Sequence, residues 1–436
     1  MNLLPNNWTY AQVSDFAELL RGISYKKGES RKEPKKGYKP ILRSNNINYE
    51  LNFVNLVYVP EKNMKSIQFI KEDDIIFAMS SGSKHLVGKS AQSKRDYDGS
   101  YGAFCGLLRI SNLINKKYVG LFFKSQEYRK YISRISKGTN INNLKRDHIL
   151  EINFPLAPLN EQNRIVQKIE ELFSDLNKAT EELKKTQEQL KIYRQAVLKV
   201  AFEGKLIEEW REQNNIELSF EEVSLKDIAV IIMGQSPPSS TYNANRVGLP
   251  FYQGKKEFGD LYPTPEKYCS EPKKIVEAND ILISVRAPVG PTNFCKEKSC
   301  IGRGLAAIRA KEKIKNIYLF YYLRYFVFNL IEKSTGTTFN AISKDTLEGF
   351  KVLLFSLQEQ QQIINEIESR LSVCDKLEET VQQSLKKIEY LHQSILKKAF
   401  EGKLVSQDPN DLPAGELLKQ IKIKKDKMSK KWKINI

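Results

Sequence analysis

Histidine and cysteine are scarce in this sequence. There are three histidines and five cysteines among 436 residues. The cysteines number five, which is odd, and none belongs to a Cys-x-x-Cys pair (Cys105, Cys269, Cys295, Cys300 and Cys374). This pattern argues against a zinc site and favours a chain whose thiols stay reduced, as in the cytoplasm. We therefore expect no metal ligands in this chain.

Long apolar runs are also missing. The most apolar window, residues 317–331, is interrupted by Arg324 and is too short to span a bilayer. The first eight residues contain neither a basic stretch nor a long apolar run, so they are not a signal peptide. The sequence therefore predicts a cytoplasmic protein that makes no contact with a membrane.

Catalytic motifs are absent as well. The sequence contains no Asn-Pro-Pro-Phe or Asp-Pro-Pro-Tyr tetrapeptide, no glycine-rich S-adenosylmethionine loop and no convincing nuclease core of paired carboxylates with lysine. Residues 82–90 resemble a phosphate-binding P-loop, but five residues separate Gly82 from Gly88 where that loop needs four. We expect a non-catalytic chain that binds no cofactor itself.

Positive charge, in contrast, is abundant. The formal net charge is +18, with 41% hydrophobic and 10% aromatic residues. The segment after Leu404 holds eight lysines against four acidic residues, so most of the excess lies in the folded part of the chain. This distribution indicates a polyanionic partner.

One stretch of the sequence occurs twice without a gap, and its two copies are 198 residues apart. The copies run from Glu161 to Leu206 and from Glu359 to Leu404, and both end in Ala-Phe-Glu-Gly-Lys-Leu. In each copy apolar residues recur at steps of four and three, with polar Thr186 and Ser384 at the missing position. The predicted seam consists of Ile165, Ile169, Leu172, Leu176, Ala179, Leu183, Leu190, Tyr193, Val197 and Val200, and of Ile363, Ile367, Leu371, Cys374, Leu377, Val381, Ile388, Leu391 and Ile395.

These two copies predict long helices that pair as a coiled coil, and two separate surface helices are the alternative. Gly204 and Gly402 follow the last seam residues, where a helix C-terminal cap favours glycine.

The regions outside the helices alternate strand-like runs with turn residues. The predicted strands of the first region are residues 39–43, 56–60, 74–79 and 103–110, followed by a helix over 117–136. The second region repeats this plan: residues 250–253 correspond to 40–43, 280–284 to 74–78, 304–308 to 106–110, and 336–340 to 138–142. The predicted fold class is mixed α/β (α+β) for two globular domains, joined by the helices in an internal pseudo-twofold repeat. The predicted segments are domain 1 (1–155), spacer helix 1 (156–210), domain 2 (211–353), spacer helix 2 (354–404) and a basic C-terminal tail (405–436).

Polar side chains follow equivalent strands in both regions. Arginine, asparagine and glutamine read purine edges, and small or basic side chains contact phosphates. The candidate DNA-binding residues are Arg43, Asn45, Asn46, Ser81, Ser83, Lys84, His85, Lys89, Thr139, Asn140, Asn142, Gln253, Lys255, Lys256, Arg286, Arg303, Thr337, Thr338 and Asn340. For Arg286 the alternative is a surface arginine in a proline-bounded turn. For segments 138–143 and 335–340 it is a hinge.

Several of these motifs resemble the specificity subunit of type I DNA restriction–modification systems, over nearly the whole chain. The most specific are Leu159–Gln162, Leu357–Gln360 and the two Ala-Phe-Glu-Gly-Lys-Leu ends. Further similar segments are residues 21–27, 78–84 and 101–106 in the first region, and 234–238 and 284–290 in the second. The second repeat begins with Phe355-Ser356, where the family usually has a proline.

The resemblance implies two target-recognition domains that each read one half of a bipartite, asymmetric site in double-stranded DNA. It also implies that paired antiparallel helices set the spacing and dock two methyltransferase subunits, with two restriction subunits as possible further partners. Those partners would bring S-adenosylmethionine, and ATP and Mg²⁺ if a restriction subunit is present. The candidate docking residues are Glu161, Gln162, Phe202, Lys205, Glu359, Gln360, Phe400 and Lys403.

Two other classes of function remain open. A stand-alone DNA methyltransferase or nuclease is disfavoured by the missing motifs. A structural coiled-coil protein is disfavoured by the two aromatic-rich regions and the positive charge.

Overall fold

The chain folds into two units. The computed structural model describes residues 4–81, 86–137, 143–333 and 341–434. Contacts group residues 1–182 with 384–436 as unit 1, and residues 183–383 as unit 2. Two helices of 44 residues, Leu159–Phe202 and Leu357–Phe400, each contribute to both units. The unit boundaries therefore fall inside the long helices.

Unit 1 is built mainly from short strands and helices that precede the first long helix. Its elements are β1 (Thr9–Gln12), α1 (Val13–Phe16), β2 (Ala17–Arg21), β3 (Tyr38–Leu42), β4 (Ile47–Asn48), β5 (Glu50–Leu51), β6 (Val57–Pro60), β7 (Ile75–Ala78), β8 (Ser90–Gln92), β9 (Ser100–Tyr101), β10 (Cys105–Ile110), α2 (Lys116–Phe122), α3 (Gln126–Lys137), α4 (Asp147–Leu150), β11 (Asn153–Leu156) and the first part of α5 (Leu159–Phe202).

Unit 2 repeats this order of elements. Its elements are α6 (Glu208–Asn214), β12 (Glu221–Ser224), α7 (Leu225–Ile228), β13 (Ala229–Met233), β14 (Tyr242–Asn243), β15 (Leu249–Tyr252), β16 (Lys267–Cys269), β17 (Ile275–Val276), β18 (Ile281–Ser284), β19 (Thr292–Phe294), β20 (Ser299–Ile301), β21 (Leu305–Ala310), α8 (Asn316–Lys333), α9 (Lys344–Glu348) and β22 (Lys351–Leu354), with the second part of α5 and the first part of α10 (Leu357–Phe400). The rest of α10 and α11 (Ala414–Ile434) belong to unit 1.

Each unit contains a four-stranded antiparallel sheet of the same topology. The strand order is β2-β10-β7-β8 in unit 1 and β13-β21-β18-β19 in unit 2. A second sheet, with three strands in unit 1 and five in unit 2, contains a parallel pair in both units, β3 with β9 and β15 with β20. A further antiparallel pair leads into each long helix, β1 with β11 and β12 with β22. The predicted mixed fold and its internal repeat are confirmed.

An Asp–Arg ion pair that occurs in both units shows which of their residues are equivalent. The Nε and Nη2 atoms of Arg109 donate to Asp74 at 3.0 and 2.5 Å, and those of Arg309 donate to Asp280, both at 2.7 Å. The predicted equivalence of 74–78 with 280–284 is therefore confirmed. The predicted match of 106–110 with 304–308 is wrong by two residues, because Cys105 pairs with Ala78 and Leu305 with Ser284. This alignment follows from the buried carboxylate and the strand register. A comparison of the two sequence segments alone does not detect either.

The long helices run antiparallel within each unit. In unit 1, Glu161 near the start of α5 contacts Gln407 beyond α10, whereas Phe173 contacts His392. In unit 2, Arg194 of α5 forms ion pairs with Asp375 and Glu378 of α10.

Three predicted seam residues are wrong, because Tyr193, Leu377 and Leu391 are exposed. The neighbouring Arg194 and His392 make the helix–helix contacts instead. A helix of 3.6 residues per turn drifts relative to a strict seven-residue repeat, which explains the shift by one position.

Three segments are more helical, or differently divided, than the sequence predicts. The helix predicted over 117–136 is divided, because Ser125 starts a new helix by accepting a hydrogen bond from the Tyr128 amide at 3.3 Å. Residues 208–214, which the predicted segments divide between spacer helix 1 and domain 2, form the separate helix α6. The predicted C-terminal tail contains α11, which buries Leu417 and Ile421 in the core of unit 1.

The five cysteines are buried and free. Among the described residues, no helix is both long and apolar enough to cross a bilayer.

Glycine caps both long helices, as the sequence predicts. Gly204 and Gly402 have φ angles of +77° and +69°. The Lys403 amide donates to the carbonyl of Lys398 at 2.8 Å, and the Lys205 amide donates to that of Val200 at 3.0 Å. These bonds satisfy carbonyls that the end of a helix leaves open.

We predict that Gly402→Ala destabilises the protein by at least about 1–2 kcal/mol, because an L-residue is strained in the left-handed region. The added Cβ would also overlap the Pro5 ring. Urea denaturation of the full chain measures the effect. The control Gly415→Ala makes the same exchange in α11, where a Cβ meets nothing within 4 Å. That control should be neutral or stabilising by up to about 1 kcal/mol. Equal midpoints for both variants would contradict the capping role.

Candidate nucleic-acid interface and helix clasps

In unit 2, backbone hydrogen bonds bring the ends of several strands to one edge. We call this set the loop edge of unit 2, residues 234–236, 253–254, 285–286 and 302–304. Gly302 N donates to Tyr252 O at 2.8 Å, and Val285 N donates to Gly304 O at 2.9 Å. Gln235 N donates to Ile301 O at 3.1 Å. Sequence positions up to 70 residues apart therefore meet in one place.

Unit 1 contains the same arrangement. Its loop edge comprises residues 22–23, 42–43, 79–80 and 102–104. Ile23 N donates to Tyr101 O at 2.8 Å, Gly102 N donates to Leu42 O at 2.9 Å, and Met79 N donates to Phe104 O at 2.9 Å. The two edges share a backbone framework but carry different side chains, as expected for two readers of different surfaces.

Three of the predicted DNA-binding residues lie exposed on the loop edge of unit 2. Gln253, Arg286 and Arg303 are on its surface. The Arg303 amide donates to Ser236 Oγ at 3.2 Å, which fixes the turn while the guanidinium extends into solvent. In the described part of the chain neither Arg286 nor Arg303 forms an ion pair. Each can therefore offer its full set of donors to an acceptor such as guanine O6 and N7.

The two neighbouring lysines differ. Lys255 is exposed, whereas Lys256 Nζ lies 2.6 Å from Glu266 Oε2. The hydrogen bond that Lys256 donates to Glu266 raises the pKa of Lys256. Lys255 is thus the more available of the two for a phosphate.

The equivalent residues of unit 1 are more engaged with their own loop. Asn46 is 1% exposed; its Oδ1 accepts from the Arg43 amide at 3.0 Å, and its Nδ2 donates to the carbonyls of Asn52 and Val54. The prediction that Asn46 contacts DNA is therefore wrong, because its amide shapes the loop. Arg43 donates through Nη2 to Asn55 O at 3.2 Å, and Asn45 is exposed.

Two further candidates of unit 1 lie beside these loops. Lys89 Nζ donates to Asn48 Oδ1 at 2.9 Å and lies 5.7 Å from the centre of the Tyr49 ring. Ser81 is half-buried. For both residues, contact with DNA stays a prediction.

Nine predicted DNA-binding residues lie outside the described residues: Ser83, Lys84, His85, Thr139, Asn140, Asn142, Thr337, Thr338 and Asn340. The residues that follow two of these segments are placed equivalently. Asn143 forms a backbone bridge with Ser80, and Ala341 forms one with Arg286. Asn143 and Ala341 therefore each lie beside a loop edge.

The repeated Glu-Gln pairs form what we call the clasps, one in each unit. In unit 1 the Glu161 carboxylate accepts from Trp8 Nε1 at 3.0 Å and from Gln407 Nε2 at 2.6 Å. Burial raises the pKa of Glu161. In unit 2 the Glu359 carboxylate accepts from Arg211 Nε at 2.7 Å, and Arg211 also donates to the carbonyl of Gly204. Gln407 likewise donates to the carbonyl of Gly402, at 3.3 Å.

The glutamines of the clasps connect backbone to backbone. Gln162 Oε1 accepts from the Asn115 amide at 2.9 Å, and its Nε2 donates to Ala157 O at 2.8 Å. Gln360 makes the same pair of bonds with the Lys315 amide, at 2.7 Å, and with Phe355 O, at 2.8 Å.

The structure corrects most of the predicted docking residues. Glu161, Gln162, Glu359, Gln360, Phe202 and Phe400 are all at most 4% exposed. Phe400 packs on the Tyr118 ring, with centroids 5.1 Å apart, and Phe202 packs on the Tyr322 ring at 4.9 Å. These six side chains hold their own units together, so a partner cannot contact them. Lys205 and Lys403 are exposed, and their contact with a partner stays a prediction.

Sequence reasoning also missed three residues. Arg211 and Gln407 complete the clasps, but they are different residue types, so the repeat did not reveal them. Phe104 is 69% exposed on the loop edge of unit 1. An aromatic residue inside a predicted strand suggests a core position, and only the three-dimensional structure shows that Phe104 lies at the surface.

Comparisons with known proteins agree with this arrangement. A family model described as type I restriction modification DNA specificity domain matches residues 5–187 and 217–387. The chain is 32% identical over 447 residues to the type I restriction enzyme EcoKI specificity subunit of Escherichia coli, covering 96% of both chains. It is 34% identical over 420 residues to the putative type I restriction enzyme MjaX specificity subunit of Methanocaldococcus jannaschii, covering 92% of this chain and 94% of the relative.

Solved structures give the same result. A chain from a study of complex assembly and conformational transition of the type I R-M system superposes with a TM-score of 0.74 at 29% identity, covering 92% of this chain and 100% of that chain. The crystal structure of the HsdS subunit from Thermoanaerobacter tengcongensis gives 0.55 at 29% identity, covering 92% of this chain and 98% of that chain.

The clasps allow a matched test, because the same substitution has different consequences in the two units. We predict that Glu359→Gln costs about 2–3 kcal/mol of unfolding free energy, since it leaves the buried Arg211 without its counter-charge. Glu161→Gln should cost less than about 1 kcal/mol, because the Gln407 amide can turn to offer its oxygen to the new amide group. Urea denaturation at neutral pH compares the two variants.

The pH dependence provides a second measurement. Because the pKa of Glu161 is raised in the folded state, its stabilising contribution is present at low pH and is lost as pH rises through that pKa. Glu161→Gln should remove this decrease. If both substitutions lower the unfolding free energy equally at neutral pH, the positive charge of Arg211 makes no difference to its clasp.

Proposed function

The chain belongs to the type I restriction–modification DNA specificity family, and from this premise we propose that its two units each read one half of a bipartite, asymmetric DNA site. The observation that carries the proposal is the loop edge, which is constructed twice on one backbone framework with different exposed side chains. Arg303 and Gly304 of unit 2 stand where unit 1 has Ala103 and Phe104. A shared framework with different side chains is suited to reading two different sequences.

The chemistry of unit 2 fits base readout in the major groove. Two exposed arginines, Arg286 and Arg303, can each donate two hydrogen bonds to a guanine. Lys255 and the net charge of +18 provide attraction to the phosphate backbone that does not depend on sequence. We therefore assign the arginines to bases and Lys255 to a phosphate.

A repeated stripe on the two long helices supports the binding of two copies of one methyltransferase subunit. We define the stripe as Ile192, Gln195, Lys199 and Glu203 in unit 2, and Tyr390, Gln393, Lys397 and Glu401 in unit 1. These positions follow steps of three and four, so the first three residues of each set lie on one helix face. Glu203 and Glu401 directly follow the helix ends. Ile192 and Tyr390 are 69% and 76% exposed.

The glutamines of the stripe point to a partner as well. The Oε1 atoms of Gln195 and Gln393 are buried and accept no hydrogen bond among the described residues. A buried acceptor without a donor is costly. Both glutamine side chains are half-buried, so a rotation towards the helix surface would bring the oxygen to an N–H group of a partner. The same deficit occurs at the same repeat position in both units, as expected if two identical subunits bind.

We assign the chemistry to the partners. Methyltransferase subunits would bind S-adenosylmethionine and transfer a methyl group to an adenine flipped out of the duplex. Two restriction subunits, where they accompany the complex, would use ATP and Mg²⁺. The long helices would set the gap between the half-sites, because both run through both units. Buried free cysteines agree with a place in the cytoplasm. A stand-alone methyltransferase or nuclease is not favoured, because the relatives that match the chain along its length are named specificity subunits.

The DNA-reading assignment predicts distinct effects for two exposed basic residues. Arg286→Ala should relax the preference at one base pair of the second half-site by about 1–3 kcal/mol and leave the first half-site unchanged. Lys255→Ala should weaken binding to all DNA sequences about equally. It should also reduce the slope of log binding constant against log salt concentration by about 1. Maps of methylated adenines, together with binding at several salt concentrations, give both readouts. If Arg286→Ala weakens every sequence equally, Arg286 contacts a phosphate.

The stripe predicts a change in stoichiometry. The mass of the purified complex should correspond to two methyltransferase subunits for one copy of this chain. Ile192→Glu or Tyr390→Glu should each reduce that number to one, because a buried charge opposes an apolar contact. Leu412→Glu, at an exposed apolar residue outside the stripe, is the control and should keep two copies. Two copies with both stripe variants would contradict the assignment.

A further inference from the structure

A four-residue turn at the loop edge has the same backbone in both units. In unit 1 the Cys105 amide donates to Gly102 O at 2.8 Å, and in unit 2 the Leu305 amide donates to Gly302 O at 3.0 Å. The two central residues differ between the turns. They are Ala103 and Phe104 in unit 1, and Arg303 and Gly304 in unit 2. Each turn therefore presents one large side chain, at a different position.

The Phe104 ring extends into solvent from a fixed backbone. The backbone carbonyl of Phe104 accepts hydrogen bonds from the amides of Met79 and Ser80 at 2.9 and 3.1 Å. The neighbouring Cys105 is 2% exposed, whereas Phe104 is 69% exposed. The backbone of the turn is thus anchored to the neighbouring strand end, which fixes the direction in which the Phe104 side chain leaves the turn.

Unit 2 excludes a side chain at the equivalent position. A Cβ added to Gly304 would overlap the carbonyl oxygen of Gln253. The side chain that this turn presents is instead Arg303, one residue earlier, and it is exposed. The two turns consequently offer different chemistry, a cation with hydrogen-bond donors in unit 2 and an apolar ring in unit 1.

We propose that Phe104 is a specificity-determining residue of unit 1, which contacts the C5-methyl group of a thymine in the first half-site. The inference rests on the proposed function, since it requires the loop edge to face DNA. A phenyl ring has no donor for a phosphate or for the polar edge of a base. The apolar feature that the major groove offers to such a ring is the thymine methyl group. Phe104 therefore distinguishes thymine from bases that lack this methyl group.

The test uses the complex of the full chain with its methyltransferase subunits. A map of methylated adenines first defines both half-sites for the unaltered chain. Duplexes with that site are then prepared in which each thymine of the first half-site is replaced singly by deoxyuridine, which lacks only the methyl group. Binding of each duplex is measured for the unaltered chain, for Phe104→Ala and for Phe104→Leu.

One replacement should weaken binding of the unaltered complex roughly four-fold, the effect of removing one buried methyl group. Phe104→Ala should be insensitive to that same replacement, because the contact is already lost. Phe104→Leu should keep part of the sensitivity. Tyr10→Ala, at an exposed aromatic residue of β1 away from the loop edge, should respond as the unaltered chain does. Methylation maps of Phe104→Ala should lose the preference for one base pair in the first half-site and keep the second half-site.

The outcomes distinguish a failure of the proposed function from a failure of the role of Phe104. If the unaltered complex yields no bipartite motif, the proposed function fails. If it yields one, and Phe104→Ala and the unaltered chain respond identically to every replacement, only the role of Phe104 is overturned. Equal weakening of Phe104→Ala on all duplexes also overturns it, because the ring would then pack against the sugar–phosphate backbone.

Discussion

A buried carboxylate near the start of each long helix connects that helix to the chain that follows the end of the other. In unit 1 the Glu161 carboxylate receives Gln407, and in unit 2 the Glu359 carboxylate receives Arg211. A charge in the interior is tolerated only when donors surround it, so neither helix end can move without leaving that charge unsatisfied. The antiparallel pairing, the glycine caps and the packing of Phe202 and Phe400 all depend on this connection.

The clasps and the loop edges have different roles within each unit. Every side chain of the clasps is used internally, and the repeated Glu-Gln pairs are therefore structural. The loop edges show the opposite pattern, since their backbone bonds repeat while their side chains change. Such a division allows the exposed side chains to vary without disturbing the framework that positions them. It also explains why the sequence predicts the repeated Glu-Gln pairs as docking residues, because a sequence pattern does not distinguish a buried repeat from an exposed one.

The two clasps solve one structural problem with different chemistry. Arg211 neutralises Glu359, and its guanidinium lies over the Phe355 ring at 5.5 Å. Gln407 donates to Glu161 but brings no positive charge, and burial raises the pKa of that carboxylate. The pseudo-symmetry of the chain therefore holds for the backbone and for donor positions, but not for charge. Unit 1 compensates by a second donor from Trp8 and by an ion pair between Arg164 and Asp411 at 2.7 Å.

Local sequence is enough to predict the long helices, their glycine caps and the repeated α/β plan. These features follow from local periodicity, from the backbone freedom of glycine and from a long match at constant offset, all of which are properties of neighbouring residues. Three other features depend on the tertiary fold: the alignment of β10 with β21, the burial of the Glu-Gln pairs and the exposure of Phe104. Strand register is set by cross-strand partners such as Asp74 with Arg109. Burial depends on which segments pack over a residue, and those segments, such as Gln407 over Glu161, are distant in the chain.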